Sequence, residues 1–240
     1  MGNRVRVTAT VSEFTPTTNL NQLSITELVT PTVVALSSGN PLPAPIVLTT
    51  ADFGPGATPG TAEKFEGMRV TVAAGRVIAP TDGNITESSA TSSTTGVFQI
   101  VLDGVARPFR EPGLDVLDLF PVPAGKTPPR FDHNAERIMV RSRGQVGATS
   151  LTPEVDTQVA NMTGVMDYFS GTWALLPDVG SGTLTGGKTP TPVSDARHED
   201  VTVAGFNLQR FFDEINDGNG ATTLTAAALD KRLTKASLAI

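Results

Sequence analysis

Apolar and polar residues alternate with a period of two along Arg4–Val11: Val5, Val7, Ala9 and Val11 fall on one side, Arg4, Arg6, Thr8 and Thr10 on the other. That is the pattern of a strand with one face buried. Met68–Val72 repeats it, and Val97–Leu102, Arg137–Arg141, Met162–Phe169 and Thr172–Leu176 read as further short strands rich in β-branched residues. Pro41, Pro43, Pro45 and Gly54-Pro55-Gly56 punctuate the chain between them. Strands spaced this way predict a mainly β region, a barrel or sandwich.

The pattern changes after residue 179. Residues 180–198 lose hydrophobic periodicity and are dominated by Gly, Thr and Pro, which predicts a linker. A strand is expected over Val201–Phe206, then a loop around Asp217-Gly218-Asn219-Gly220. The one convincing helix follows, capped by Thr225 and carrying Leu229, Leu233, Ala236 and Ile240 on one face. A strand followed by a helix reads as the start of an α/β domain, and a stripe that should cover a sheet follows only one strand. The expectation is therefore a chain that stops inside its second domain.

Composition narrows the picture. With 33 Thr and 5% aromatic residues, the core must be built mainly from Val, Leu and Ile. The absence of Cys excludes disulfides, thiolate metal sites and a Cys nucleophile, and leaves the redox compartment open. No run approaches the roughly 18–20 apolar residues of a membrane span, and the first residues lack the apolar segment of a signal peptide. Residues 1–145 hold 12 basic and 13 acidic side chains and residues 146–240 hold 6 and 11. The global field therefore does not steer the chain to nucleic acid, and phosphate binding must come from a local basic patch or a metal ion.

Several motif matches fail on their physics. Gly182–Thr189 fits the spacing of a phosphate-cradling loop, but Pro190 and Pro192 disfavour the helix that such a loop needs. Asp213–Gly220 has the oxygens of a calcium loop, yet Ile215 and Leu224 stand where ligands are required, so it reads as a solvated turn. His133 and His198 lie far apart and outside any metal motif; His133 reads as a loop residue and His198-Glu199-Asp200 as a polar domain boundary.

One local cluster is basic. If Arg137–Arg143 forms a strand, Arg137, Met139, Arg141 and Arg143 share a face that could track a phosphate backbone. No aromatic residue is interleaved with them for base stacking, so a solvated strand face is the competing reading.

Asp200–Asp213, with Phe206-Asn207 closing an apolar strand before Phe211-Phe212, resembles the opening strand of the endonuclease/exonuclease/phosphatase superfamily. Val5–Phe14, Phe65–Val70 and Met162–Tyr168 look like the β-rich leader of bacterial extracellular nucleases of that superfamily, whose barrels are of the oligonucleotide-binding type. The resemblance implies that Asn207 helps to order an active-site network for metal-dependent phosphodiester hydrolysis. It also implies a divalent cation, most often magnesium, in the complete protein, with none held by this portion alone. The metal-binding Glu, the general-base Asp and the catalytic His would lie beyond Ile240, in the remainder of the catalytic domain.

The expected organisation is the closing strands of one oligonucleotide-binding-like barrel at 1–29, a second such β domain at 30–179, a linker at 180–198, and the start of a four-layer α/β sandwich at 199–240. The expected function is the front portion of a secreted nuclease. Within it, Arg137, Arg141 and Arg143 would contact DNA or RNA, and Asn207 would be the only residue touching the chemistry. The alternative is a structural or surface-adhesion β domain. No membrane span is expected.

Overall fold

The computed structural model describes residues 2–17, 22–110, 124–127, 129, 131, 133–189, 191, 199, 201, 203, 205, 207–208 and 211–239. These divide into two compact units, one of residues 1–81 and 96–188 and one of residues 82–95 and 189–240. The described secondary structure is mainly β, as the periodicity predicts.

The first unit is built on a closed barrel. Its strands are β4 (Arg69–Val77), β7 (Val97–Leu102), β8 (Ile138–Arg141), β9 (Gln158–Phe169) and β10 (Thr172–Pro177). Around the barrel they run β4-β7-β8-β10-β9 and back to β4. β8 and β10 are parallel and every other barrel pair is antiparallel. In chain order the five therefore follow 1-2-3-5-4-1, with strands 3 and 5 parallel. β3 (Ile46–Val47) adds to β4, and β11 (Thr183–Thr185) adds to β9.

Closure depends on β4 turning from one neighbour to the other. Gly75 lies opposite Val159 on one side and Leu102 on the other, and a Cβ there would stand 2.7 Å from the Val101 carbonyl oxygen. Only glycine allows strands to approach so closely at a barrel corner. Gly164 serves the same purpose between β9 and β10, where a Cβ would meet the Leu176 carbonyl oxygen at 2.2 Å.

Alternation places Val70, Val72, Val77, Phe98, Ile100, Ile138, Val140, Met162, Met166 and Leu175 inside the barrel, all essentially without exposure. A 3-10 turn, Pro59–Phe65, closes one side by burying Ala62 and Phe65. Trp173 anchors that turn by donating its indole N–H to the Pro59 carbonyl at 2.7 Å, and its ring lies 4.9 Å from that of Tyr168. The Arg69 guanidinium donates twice to Asp178, at 2.8 and 2.9 Å, and once to the Pro43 carbonyl at 2.8 Å. One side chain thus ties β4 to the segments on both of its flanks.

β1 (Gly2–Phe14) and β2 (Ile25–Asn40) form a separate antiparallel ribbon. The predicted strand is there, but the expected burial of its apolar face is not: Val11, Leu28 and Val33 are 66%, 54% and 58% exposed. The division expected after residue 29 falls inside β2, beside a register shift where Thr30 takes a φ of 51°. Leu23 and Ile25 at the root of the ribbon pack against the barrel core, and the Leu23 N–H donates to the Tyr168 hydroxyl at 3.1 Å.

Two expectations for the segment after residue 179 change. Thr183–Thr185 is a strand rather than linker, because backbone pairing to Gln158–Ala160 needs no apolar periodicity; Leu184 alone packs against the core. In the second unit, Val201, Val203 and Gly205 are not in a strand, and Val201 and Val203 are exposed. Thr202, Ala204 and Phe206 lie outside the described residues, as do His198 and Asp200. Among the described residues of 199–240 the one regular element is the helix Ala226–Ala239.

The second unit contains the hairpin β5 (Gly83–Thr86) and β6 (Thr91–Thr94) and the helix α1 (Ala226–Ala239). Thr225 caps α1 as expected, its hydroxyl accepting the Ala228 N–H at 3.2 Å. The buried side of α1 is not the predicted stripe: Ala228 is fully buried and Leu233 is 52% exposed. What α1 meets is the turn between β5 and β6 rather than a sheet. Arg232 pairs with Glu87, and the Thr225 N–H donates to the Ser88 carbonyl at 3.0 Å.

Candidate nucleic-acid interface

β7 and β8 pair so that Val97 faces Arg141 and Gln99 faces Met139. The alternate residues Phe98, Ile100, Ile138 and Val140 fill the barrel, so Val97, Gln99, Met139 and Arg141 make the outer surface of these two strands. β8 ends at Arg141. Arg137 stands one residue before it, half-buried, on the side that alternation gives to Met139 and Arg141. Arg143 does not share that face; it lies exposed in the turn that follows the strand. The expected four-residue stripe is therefore shorter, because the chain leaves the sheet at Ser142, whose hydroxyl donates to the Gly96 carbonyl at 2.7 Å and accepts the Leu151 N–H at 2.9 Å.

Long-range pairing supplies what the local sequence lacks. β10 pairs with β8 on one side and β9 on the other, which brings the end of β9 beside Arg141. The Arg141 guanidinium carbon lies 3.7 Å from the centroid of the Phe169 ring, and an Arg141 nitrogen lies 3.4 Å from the Asp167 carboxylate. Phe169 remains 43% exposed. It is held at the edge of a two-residue turn, Ser170-Gly171, in which both residues have positive φ, and Phe169 faces Thr172 across the strands. Such a turn matches the strand twist and fixes the register of its flanking residues.

Burial pushes the Asp167 carboxyl above its ordinary range, against the opposing pull of Arg141 and of a backbone hydrogen bond. A guanidinium over an aromatic face presents one charged plane and, beside it, one apolar ring, the two surfaces a nucleotide needs. Two further pairs of this kind lie in the connection between β7 and β8: Arg107 is 5.8 Å from the Phe109 ring, and Arg110 is 4.9 Å from Phe131, itself stacked on His133 at 5.1 Å. His133 is thus a loop residue, as the sequence predicts.

Asn207 stands elsewhere, in the second unit. It lines a cavity of about 500 Å3 together with Phe211 and three cationic residues of α1, Lys231, Arg232 and Lys235. That lining does not fit a divalent cation, which the three positive charges repel. Among the described residues no three carboxylate or imidazole side chains converge as metal ligands would. The Asp213–Gly220 segment uses its oxygens internally: Asp213, Asn216 and Asn219 accept the N–H groups of Ile215, Gly218 and Ala221 at 2.9, 3.0 and 2.8 Å.

No protein-family profile, curated protein or solved structure matches this chain.

Proposed function

We propose that the barrel is an oligonucleotide-binding-type module that holds single-stranded nucleic acid across the outer surface of β7 and β8. The observation that carries this reading is Arg141 lying over the exposed Phe169 ring on that surface. The strand order 1-2-3-5-4-1 supports it, because barrels of this topology bind oligonucleotides on the face of their second and third strands and on the adjoining loops. Phe169 offers a ring for a base, and Arg141 a charge-assisted donor for the neighbouring phosphate. Arg137 and Arg143 extend the positive character along the path of the backbone.

The resemblance of Asp200–Asp213 to the opening of a phosphodiesterase domain supports placing the module in a secreted, metal-dependent nuclease. In this reading the chain delivers nucleic acid and does not cleave it.

Titration with single-stranded and duplex DNA at two salt concentrations tests the proposal. Phosphate contacts make affinity fall linearly on a log–log scale with salt, with a slope of about 0.7 per phosphate neutralised on a single strand. Salt-dependent binding with preference for the single strand is expected. Absence of any salt-dependent binding leaves the structural or adhesive β domain as the reading.

A further inference from the structure

The cavity of the second unit has a composition that the barrel function does not use. Its α1 wall carries Lys231, Arg232 and Lys235. Arg232 is committed to Glu87, and both of those side chains are largely withdrawn from solvent. No carboxylate among the described residues pairs with Lys231 or Lys235. These two ammonium groups are one helical turn apart on the same side of α1, where like charges repel and destabilise a helix. An anion seated between them removes that repulsion.

The rest of the lining is mixed: Thr91, Ser92 and Asn207 are polar, and the apolar part is Ile85, Leu208, Phe211 and two alanines. Ile85 of β5, Leu208 and Phe211 face the cavity and keep substantial exposure. Together the walls combine one cationic side, one aromatic ring and two aliphatic side chains. The volume of about 500 Å3 lies within the range of roughly 300–1,000 Å3 that small-ligand sites occupy.

We infer that this cavity binds a mononucleotide, with Lys231 and Lys235 on the phosphate and Phe211 and Ile85 against the base. The two ammonium groups select for a phosphate monoester, and the apolar side excludes a bare inorganic anion as the best ligand. A nucleotide satisfies both walls; adenosine satisfies only one, as does phosphate. The site lies wholly within the second unit, so it stands or falls independently of the barrel surface.

Isothermal titration of the full chain with AMP, adenosine and inorganic phosphate tests the inference. AMP is expected to bind with one site per chain, and adenosine and phosphate at least about tenfold more weakly, the equivalent of about 1.4 kcal/mol. Lys231→Ala/Lys235→Ala should weaken AMP by about tenfold or more while keeping α1 intact, because alanine is the best helix former. Lys231→Arg/Lys235→Arg, which keeps the charges, should retain binding, and Lys188→Ala, which removes one ammonium group from the first unit, should have no effect. The inference is overturned if AMP gives no heat at millimolar concentration or if adenosine binds as tightly as AMP. It is equally overturned if the double alanine variant binds AMP like the parent chain, which would put the nucleotide elsewhere, the barrel surface included.

Discussion

Asp167 and Arg141 approach to 3.4 Å, yet the Asp167 carboxyl is held above its ordinary range, because burial of the carboxylate outweighs the attraction of the guanidinium. Where Asp167 is ionised the pair offsets the charge of Arg141. It also makes the barrel surface responsive to acid.

The sign of that response is fixed. Protonating Asp167 removes the negative charge beside Arg141, so affinity for nucleic acid should rise as pH falls through the raised Asp167 value. Asp167→Asn should raise affinity at neutral pH by about 0.2–1 kcal/mol, the scale of a partly exposed ion pair, and should abolish this part of the pH dependence. Stability follows the same direction. A carboxyl whose folded value lies above its unfolded value of 3.8 is best tolerated when protonated, so this contribution to stability falls as pH rises from there through the folded value. The difference between the parent and Asp167→Asn urea midpoints, followed across the acid range, checks it.

The aromatic and the charge at the barrel surface should separate cleanly. Phe169→Ala is expected to weaken single-stranded DNA by about 1–3 kcal/mol with an unchanged salt slope, because a stacking surface carries no charge. Arg141→Ala should reduce the slope by about 0.7, the contribution of one phosphate on a single strand. Arg141→Lys should keep the slope and lose affinity, since a lysine neither forks to a phosphate nor lies flat on the ring. Fluorescence anisotropy of a labelled oligothymidylate over a salt series reads all three.

The glycines at the barrel corners set its stability. Gly164→Ala puts a Cβ against the Leu176 carbonyl oxygen and should cost roughly 2–4 kcal/mol or more. Gly60→Ala, where nothing lies within 4 Å, should stay within about 0.5 kcal/mol. The chain has a single tryptophan, Trp173, and it sits in the barrel, so urea unfolding followed by its fluorescence reports this unit alone.

Incubation of the chain with plasmid or single-stranded DNA and magnesium should give no cleavage above the metal-only control. Metal-dependent cleavage would contradict the division of labour proposed above. It would also require a metal site that the lining of the Asn207 cavity does not supply.

The strands of the barrel were legible because each buries one face against a shared core, and burial writes itself into the sequence with a period of two. Val97–Leu102 and Met162–Phe169 are read correctly for that reason. β11 was not legible, since its pairing uses backbone groups and a single apolar side chain, Leu184. Alternation also predicts the strand at Val5–Val11 correctly and its burial wrongly, because periodicity reports which residues share a face and not whether that face is covered. The Arg141–Phe169 contact joins residues of different strands through β10, so no local window contains it; the run ending at Phe169 was the only trace. The helix beginning at Ala226 was legible from its cap and its alanines, whereas its buried side was not, because it centres on Ala228 rather than on a stripe of leucines.

A backbone amide shift map of the isotopically labelled chain titrated with oligothymidylate locates the nucleic-acid surface residue by residue. The largest shifts are expected on Gln99, Met139, Arg141 and Phe169, together on the outer surface of β7 and β8 and the turn after β9. Shifts absent from these residues, or confined to other parts of the chain, would contradict the proposed surface.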